Sequence, residues 1–589
     1  MGIVSDVPLY EPTGFAAEIF RKRYSLHDVE TFHEACDRVA RHVAAAEENG
    51  NVSHFSREFS DVMRRNLFIP GGRILYGSGR PKGQLLNCFV VKTSDSREGW
   101  GKTLYDEIVI CGSGGGLGIN FSPIRPRGTK IAGHRGLATG AVSLMEIVDA
   151  AGERLKAGGG RRTALMFALD LTHGDILEFL DKKLDLDELK NANVSVWFPD
   201  DPEDFFAKVR ADEELKLMHS GRVCGTVMAR ELWKKIVGNQ LSGGEPGLLN
   251  GYLMNRMSDI WYHKPIVCTN PCGEQPLEDG GSCCLGSHVL PRYVGTDGKI
   301  DWDLLRAVTE TAVRLLDDVL TVNTYPLPEI RENCQTVRRI GLGVMGLHDM
   351  LLKMGMRYSS PEGLEMVDRV MNFVKCASYE ASVDLAKEKG PFPAFDAAKF
   401  LKGGFAKTLK PSLREKIRKY GLRNCALNTI PPTGTTALVS GVTSGIEAMF
   451  AAAHVRKYRD GDALKKEVVV HPLFREFVLT GRDVSHFEGT YDLSLRDHFE
   501  MQRVCQRHVD AGVSKTINVM PGTAIDELSE LYMEYFPELK GTTIYPEGSR
   551  EDQPLSPLSI DLALLAARGE DVSVAADGQS ACRDGKCDI

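Results

Sequence analysis

The segment NPCGEQPL, residues 270–277, interrupts any regular helix or strand and places Cys272 at a turn. Proline fixes its φ angle and lacks a backbone N–H, and glycine favours turns, so Pro-Cys-Gly predicts the tip of a tight loop. That loop carries one thiol, the carboxylate of Glu274 and the amide of Asn270. Taken alone, the pattern also fits a small buried thiol beside an unrelated surface acid.

Length and charge bound the class of protein. The 589 residues, 42% of them hydrophobic, exceed one ordinary core and predict one large barrel-type domain with appendages, or several domains. The formal net charge of −8 gives no global attraction to nucleic acid or to an anionic membrane. No apolar run reaches about 18 residues, and the N-terminus lacks the regions of a signal peptide. These features predict a cytoplasmic protein that binds neither nucleic acid nor membrane.

The fourteen cysteines are spread along the chain, which in a cytosolic protein indicates mostly reduced core thiols with a few catalytic exceptions. No pair of CxxC motifs of the zinc type occurs, so we assign no metal ligand.

Apolar positions at helical spacing predict a helical region over residues 1–67. From residue 68 to 550, short apolar runs alternate with glycine-rich turns and helical stretches, which predicts an α/β domain with parallel strands. Predicted helices within it are 141–156, 301–320, 361–388 and 523–536, and predicted strands near its end are 514–519 and 541–545. Residues 551–589 are rich in Pro, Asp, Gly and Ser, which predicts a flexible tail.

Three segments together resemble the large catalytic chain of ribonucleotide reductase: NPCGEQPL at 270–277, GSCCLGS at 281–287 and LLNCFV at 85–90. In that family the finger-loop cysteine carries a radical, and one cysteine from each flanking segment forms the reducing pair. The resemblance implies a ten-stranded α/β barrel of two parallel half-barrels with a central finger loop, preceded by the N-terminal helical region.

Four further segments resemble the adenosylcobalamin-dependent (class II) branch of the family: RRIGLGVMGLHDM at 338–350, CALNTIPPTGTTALVSGVTSGIEAMF at 425–450, SKTINV at 514–519 and KGTTIYPEGSRE at 540–551. The sequence has no Tyr-Tyr dipeptide of the kind that relays a radical in class I chains, and it ends in SACRDGKCDI instead of a glycyl-radical segment. The resemblance implies reduction of ribonucleoside di- or triphosphates for DNA synthesis, with adenosylcobalamin as radical source. Two alternatives stay open, a class I large subunit that needs a second subunit and a non-catalytic nucleotide-binding regulator.

The resemblance assigns the radical to Cys272, because sulfur forms a suitable reversible radical for removing the ribose 3′-hydrogen. Glu274 is assigned as the base that takes the 3′-hydroxyl proton while the 2′-hydroxyl leaves as water. Asn270 is assigned to hold the ribose hydroxyls, with a loop-stabilising Asx turn as the alternative.

Two electrons must then come from a dithiol, and the family pattern makes Cys88 one partner. The other falls in GSCCLGS, where alignment favours Cys283 and the adjacent Cys284 leaves the choice open. Cys582 and Cys587 are assigned to re-reduce the disulfide and to be reduced in turn by a thioredoxin-like partner. The alternatives for that pair are a metal-binding knuckle and terminal thiols without a function.

The substrate phosphates are implied to bind PPTGTT at 431–436, at a predicted helix N-terminus with several hydroxyls. The residues assigned to the substrate are Asn87, Pro432, Thr433, Gly434, Thr435 and Thr436. Gly434 is expected to permit close backbone approach. The run CGSGGGLGIN at 111–120 does not match a nucleotide loop and predicts close packing against the active site.

A deoxynucleotide or ATP effector is implied at a dimer interface, so a homodimer is expected. Asp95 matches the position that binds the effector sugar, and GHRGLATGAVS at 133–143 matches the loop that lines its phosphates. Arg161 and Arg162, in AGGGRRTALM at 157–166, match the loop that signals to the substrate pocket. A solvated basic turn is the competing account of these two arginines.

Overall fold

The computed structural model describes residues 4, 6–48, 50–131, 133, 135–155, 163–184, 188–460, 463–547, 555–570, 572–574, 581–583 and 586–587. Of these, 456–460, 463–466, 555, 573–574, 581–583 and 586–587 are described by their backbone alone.

Between residue 6 and β1 (Phe68–Pro70), the described residues form the helices Gly14–Arg23, Phe32–Ala44 and Val52–Arg64. The second begins in a capping box, in which Thr31 accepts from the Glu34 N–H and the Glu34 side chain accepts from the Thr31 N–H. Val39, Val43 and Phe59 are fully buried between the second and third helices and the rest of the chain. The apolar stripe read from the sequence is therefore the core face of this region.

The remaining helices surround the strands or connect them. They are Gly72–Gly77, Arg97–Gly112, Ala141–Arg154, Ile176–Lys182, Pro202–Ala211, Ala229–Gly243, Gly251–Met257, Trp302–Val322, Pro328–Val337, Leu347–Lys353, Pro361–Lys389, Ala397–Phe400, Pro411–Tyr420, Gly434–Ser440, Pro472–Leu479, Leu495–Gln506, Ile525–Tyr535 and Ile560–Ala567, with 3₁₀ turns at Leu290–Tyr293, Ala406–Thr408, Thr490–Asp492 and Phe536–Glu538. The four helices predicted from the sequence are confirmed to within two residues at each end. Across the described ranges, no helix combines the length and apolar character that a membrane crossing requires.

The strands of the described residues are β1 (Phe68–Pro70), β2 (Cys88–Lys92), β3 (Gly116–Asn120), β4 (Leu165–Asp170), β5 (Ala192–Trp197), β6 (Glu214–His219), β7 (Arg222–Met228), β8 (Gly247–Leu249), β9 (Ile266–Thr269), β10 (Pro276–Glu278), β11 (Leu285–Val289), β12 (Gly341–Met345), β13 (Ala453–Asp460), β14 (Ala463–Val470), β15 (Thr516–Val519), β16 (Gly541–Pro546), β17 (Leu555–Pro557), β18 (Ser573–Val574), β19 (Ala581–Arg583) and β20 (Lys586–Cys587). The two strands predicted near 514–519 and 541–545 are β15 and β16.

A seven-stranded sheet with the order β15–β16–β8–β5–β4–β3–β2 is the largest of the described sheets. Five neighbouring strands of this sheet, β2, β3, β4, β5 and β8, are parallel to one another. β15 and β16 are also parallel to each other, but β16 runs antiparallel to β8. Two groups of parallel strands thus run in opposite directions, within a mixed α/β architecture.

A three-stranded sheet, β1–β11–β12, completes the framework of the site, with β11 parallel to β12 and antiparallel to β1. Isolated bridges extend the edges of the two sheets toward each other: Leu342 with Asn428, Ile430 with Val513, and Phe89 with Ser282. The first two bridges lead from β12 toward β15, and the third leads from β2 toward β11.

β9 and β10 form an antiparallel hairpin, and we call residues 266–278 the finger loop. Its stem lies against β3, where a Cβ built at Gly118 would lie 1.9 Å from the carbonyl oxygen of Thr269. Only glycine permits so close an approach of two backbones. The Asn120 side-chain amide also donates to the Val267 carbonyl at 3.1 Å. These contacts hold the finger loop against the seven-stranded sheet.

Residues 555–567 form a strand and a helix that pack against the rest of the chain. β17 pairs with β13, and helix Ile560–Ala567 packs on helix Pro472–Leu479. Leu558 and Ala563 belong to the same buried cluster as Phe474. The flexible tail predicted from residue 551 therefore does not describe residues 555–567, because apolar side chains there cover a neighbouring helix.

Candidate active site

A cavity of about 170 Å³ opens beside the tip of the finger loop. Its walls come from both sheets, from the tip itself and from the segment that starts helix Gly434–Ser440. Residues assigned from the sequence that line it are Asn87, Cys88, Cys272, Glu274, Pro432, Thr433, Gly434, Thr435 and Thr436. The fold thus brings segments far apart in sequence around one space.

Cys272 is exposed at the tip of the finger loop, as the Pro-Cys-Gly pattern predicts. Gly273 follows it with a φ of 80°, in the left-handed region that favours glycine. The Gly273 N–H donates to the Asn270 carbonyl at 3.0 Å, and the Asn193 side-chain amide donates to the Pro271 carbonyl at 2.9 Å. The tip is therefore a fixed turn that presents its thiol to the cavity.

Glu274 is the buried acid of the tip, only 1% exposed. Its Oε2 atom has no hydrogen-bond partner among the described residues. Burial raises the pKa of Glu274 from its ordinary 4.5 to about 7. A carboxyl group with that pKa exchanges its proton near neutral pH and suits a general base.

Asn270 combines the two roles that its sequence context suggests. Its Oδ1 atom accepts from the Gln275 N–H at 3.0 Å, which stabilises the loop. Its Nδ2 atom and the Oδ1 atom of Asn87 are buried and meet the geometry of a hydrogen bond with none of the described residues. The Asn270 side chain still acts to lower the pKa of Glu274, against the larger effect of burial. A buried polar atom without a hydrogen bond lowers the stability of the fold by about 1–3 kcal/mol. Such atoms are expected in a site where a bound ligand supplies the missing hydrogen bond.

The structure distinguishes Cys283 from Cys284. The Cys283 N–H donates to the Cys88 carbonyl at 2.9 Å. Burial and, next, contact with the Cys88 thiol raise the pKa of Cys283 well above its usual range. The Cys284 thiol instead donates to the Leu316 carbonyl at 3.3 Å, on helix Trp302–Val322. Successive side chains of an extended segment point to opposite sides, so Cys283 alone faces Cys88.

The glycine-rich run after Cys111, predicted to pack against the active site, packs against Cys88 and the finger-loop tip beside the cavity. A Cβ at Gly116 would lie 3.0 Å from the Cys88 sulfur and 3.1 Å from a ring carbon of Pro271. At Gly115 a Cβ would lie 2.6 Å from the Phe89 ring. Side chains here would displace the thiol and the finger-loop tip.

Helix Gly434–Ser440 begins inside the PPTGTT segment, as predicted. Thr433 adopts a left-handed φ of 49°, and its hydroxyl accepts from the Gly445 N–H at 2.7 Å. A Cβ at Gly434 would meet no protein atom within 4 Å, so no protein contact requires glycine there. The close approach expected at Gly434 is therefore not made by any described protein atom outside its chain neighbours.

Comparison with known proteins decides the family. The family model for the ribonucleotide reductase barrel domain matches residues 86–545. The family model for the ribonucleotide reductase all-alpha domain matches residues 10–83. The chain belongs to the ribonucleotide reductase family.

Similar curated proteins place it in one branch of this family. The vitamin B12-dependent ribonucleoside-diphosphate reductase of Mycobacterium tuberculosis (strain CDC 1551 / Oshkosh) is 35% identical, over 92% of this chain and 80% of that protein. The protein of that name from Thermoplasma acidophilum is 34% identical, over 91% and 72%. A ribonucleoside-diphosphate reductase large subunit from Caenorhabditis elegans is 30% identical over only 69% and 57%. This ribonucleotide reductase therefore belongs to the vitamin B12-dependent branch.

The residues assigned to effector binding lie away from the cavity at the finger-loop tip or outside the described residues. Asp95 does not line the cavity; its carboxylate pairs with the Arg125 guanidinium at 2.7 Å, just before helix Arg97–Gly112. Of the 133–143 loop, the last three residues begin helix Ala141–Arg154. Arg161 and Arg162 lie outside the described residues.

Cys582 and Cys587 are direct partners across the antiparallel pair β19–β20, and the structure describes their backbone only. Opposite residues of such a pair have Cα atoms about 4.5–5.5 Å apart, within the range that a disulfide spans.

Sequence reasoning missed four residues that hold the site: Asn193, Thr429, Gly512 and Arg125. Thr429 and Gly512 both donate to the Glu274 carbonyl, at 2.8 and 2.7 Å. Their neighbours in sequence gave a signal, since Thr429 lies just before PPTGTT and Gly512 just before SKTINV. No local pattern marks Asn193.

Proposed function

We propose that this chain reduces ribonucleoside diphosphates to 2′-deoxyribonucleotides by a thiyl-radical mechanism that uses adenosylcobalamin. The observation that carries the proposal is the meeting of Cys88, Cys272 and Glu274 around one cavity, with Cys283 directly behind Cys88. The names of the relatives support both the diphosphate and the cofactor.

The site is compatible with such a cofactor because the Cys272 thiol is exposed at the tip of a rigid turn. When bound, adenosylcobalamin supplies a 5′-deoxyadenosyl radical that can take a hydrogen atom from a thiol. Cys272 then holds the radical on sulfur and removes the 3′-hydrogen of the ribose. Asn270, whose Nδ2 atom lacks a partner among the described residues, positions the ribose hydroxyls.

Glu274 takes the 3′-hydroxyl proton, and the 2′-hydroxyl leaves as water. Cys88 and Cys283 supply two electrons and two protons as they close to a disulfide: one proton leaves with the 2′-hydroxyl as water, and the other becomes the new hydrogen at C2′. Glu274 returns its proton to the 3′-oxygen and Cys272 returns its hydrogen atom to C3′, which restores the radical on sulfur. The contact between these two thiols supports the pairing. Asn87 and residues 432–436 hold the substrate, with the phosphates at the start of helix Gly434–Ser440.

We infer that the two sheets close into a ten-stranded barrel. Five strands would be β2, β3, β4, β5 and β8, and five would be β11, β12, the segment at 428–430, β15 and β16. The bridges at both edges support this closure. A helical region at 1–67, a catalytic domain at 68–550 and a redox tail within 551–589 remain our division of the chain.

We also infer a homodimer built on helices Arg97–Gly112 and Ala141–Arg154, which pack against each other. Tyr105, Ile108 and Ile147 on these helices are 59%, 49% and 45% exposed. Large apolar side chains grouped on a surface favour a protein partner. A deoxynucleotide or ATP effector would bind near Asp95 at this interface, with Arg161 and Arg162 on the signalling loop. Ile108→Glu should convert a dimer to a monomer in light scattering.

The tail thiols Cys582 and Cys587 are proposed to re-reduce the Cys88–Cys283 disulfide by exchange and to be reduced by a thioredoxin-like protein. Their pairing across β19–β20 supports a reversible disulfide. A cytoplasmic location suits this chemistry, and the twelve cysteines with described side chains all lie outside disulfides. Cys582→Ser should allow one turnover with thioredoxin but not several, and a small dithiol should restore turnover. Normal multiple turnover with thioredoxin would contradict the shuttle.

The first experiment is anaerobic reduction of CDP and CTP by the purified chain and a dithiol, with and without adenosylcobalamin and with each effector. Turnover of CDP that requires the cofactor supports the proposal. Turnover that requires a metal-bearing second subunit would favour a class I enzyme, and nucleotide binding without turnover would favour a regulator.

A further inference from the structure

The backbone of Glu274 is held by two donors from different segments. The Thr429 hydroxyl and the Gly512 N–H both reach its carbonyl oxygen, at 2.8 and 2.7 Å. We call Thr429 and Gly512 the clamp. Because the clamp grips the main chain next to the carboxyl-bearing side chain, its position sets where the Glu274 carboxyl group lies in the cavity.

Asp510 joins the two halves of the clamp. Its carboxylate accepts from the N–H groups of Leu427 and Asn428, at 2.7 and 2.9 Å, and from the Tyr379 hydroxyl at 2.8 Å. The segment that ends in Gly512 is thereby tied to the segment that ends in Thr429. The fixed unit is thus two chain segments, 427–429 and 510–512, joined by one half-buried carboxylate.

Lys540 fastens this unit from the opposite side. Its ammonium group donates to the carbonyl oxygen of Asp510 and, at 2.9 Å, to that of Ala511. Lys540 is only 3% exposed and lies immediately before β16. It reaches the main chain of the two residues that precede the clamp glycine.

The surroundings of Lys540 are charged and largely buried. A cavity of about 20 Å³, the size of one water molecule, is lined by Lys540, Asp510, Asp259 and Arg339. Burial lowers the pKa of Lys540 to about 8, against the attraction of Asp510 and Asp259 and with the repulsion of Arg339. Burying an ammonium group costs several kcal/mol, and an apolar side chain of similar volume often gives equal or greater stability. A buried lysine at this point is therefore better explained by the two carbonyls it holds than by stability.

We propose that Lys540 is a positioning residue that fixes the Glu274 carboxyl group through residues 510–512 and the clamp. This inference rests on the proposed function, because it assigns Glu274 as the base. It predicts that loss of the ammonium group changes how Glu274 ionises and how fast it acts, while the nucleotide still binds.

The test is Lys540→Met, which keeps most of the side-chain volume and removes both hydrogen bonds. The matched control is Lys515→Met, since Lys515 is also 3% exposed but bonds the Glu447 carboxylate at 2.9 Å. For each chain, kcat and KM for CDP are measured from pH 5.5 to 9 with adenosylcobalamin and a dithiol.

Lys540→Met should lower kcat about 10-fold to 100-fold, because small misplacements of a catalytic group have effects of that order. Its KM for CDP should change by less than about two-fold, because the substitution leaves the contacts that bind the nucleotide in place. The acid limb of the kcat profile should move to lower pH, because a loosened Glu274 gains water and its pKa falls. Lys515→Met should leave the acid limb in place. An unchanged kcat and acid limb in Lys540→Met would overturn the proposal.

Two other variants reach the clamp directly, in case Lys540→Met does not fold. Thr429→Val removes one donor to the Glu274 carbonyl. Gly512→Ala introduces a Cβ that would lie 2.8 Å from the Gly273 carbonyl oxygen and 3.0 Å from that of Glu274. Both should move the acid limb in the same direction, and two folded variants with the wild-type limb would reject the clamp.

Failure of the proposed function looks different from failure of this inference. If the unaltered chain reduces no nucleotide, the function is wrong whatever the variants do. The Glu274 pKa is then measured without turnover, from the pH dependence of unfolding in chains with and without Glu274→Gln. A Glu274 pKa that is the same in the Lys540→Met and Lys540 backgrounds would overturn the positioning role.

Discussion

The tip and the base of the finger loop each carry a buried glutamate, and the two behave in opposite ways. Glu274 at the tip and Glu278 at the base are 1% and 0% exposed. Burial raises the pKa of Glu274 to about 7. Burial also acts to raise the pKa of Glu278, but Arg339 outweighs it and brings that pKa below 4.5.

The difference comes from partners, not from depth. Glu278 accepts from the Arg339 guanidinium and from the Asn333 amide, both at 2.8 Å. Glu274 has no cation within bonding distance among the described residues, and its Oε2 atom has no partner there. A satisfied carboxylate is an anchor, whereas an unsatisfied one is ready to exchange protons. The loop thus separates its structural acid from its chemical acid by four residues.

The largest effect should come from the thiol at the tip. Cys272→Ala should abolish CDP reduction, because no other atom at the tip can hold the radical, while CDP still binds in equilibrium dialysis. Cys376→Ala, at a half-buried thiol that does not line the cavity, is the control and should keep turnover. Residual reduction by Cys272→Ala would contradict the radical assignment.

Glu274→Gln should lower kcat by about 10²-fold to 10⁴-fold, the usual contribution of a general base. The wild-type kcat should rise as the pH increases through about 7, where Glu274 loses its proton, and this limb should be absent in the variant. Steady-state kinetics from pH 5.5 to 8.5 test both points. A variant that retained the acid limb would show that another group titrates there.

Glu278→Gln should act on stability instead. It leaves the Arg339 cation, which is 8% exposed, buried without its charged partner, at a cost of about 3–5 kcal/mol in the free energy of unfolding. The lowered pKa means that this contribution is present above pH 4.5 and is lost as the pH falls through the folded-state pKa. Urea unfolding at pH 7 and pH 4 measures the change. A Glu278→Gln variant that lost turnover but kept its stability would show that Glu278 takes part in the chemistry and is not a structural anchor.

The smallest effect has the opposite sign. Because the pKa of Glu274 is raised in the folded chain, its carboxylate destabilises the fold as the pH rises from 4.5 to about 7. Glu274→Gln should therefore be more stable than the wild type at pH 8, by up to about 3 kcal/mol, and about equally stable at pH 4. Thermal unfolding at the two pH values checks this, and a destabilised variant at pH 8 would show a native partner for Glu274.

The residues that could be predicted from the sequence carry local patterns. Pro and Gly around Cys272 define its turn, and PPTGTT marks the start of a helix. The choice between Cys283 and Cys284 could not be made, because it depends on which face of an extended segment meets β2. Lys540 could not be found at all, since its partners Asp510 and Ala511 lie about thirty residues away. The packing of residues 555–567 could not be predicted either, because it depends on contacts with the surface of helix Pro472–Leu479.

The approach of Thr269 to Gly118 joins residues that are 151 positions apart in the chain. Contacts between such distant residues form slowly, because a long loop must close before they gain any free energy. We therefore expect the finger loop to enter its place late in folding, after β3 and its neighbours are formed. A newly made chain would then bring Cys272 into position only after the strands that surround the radical have formed.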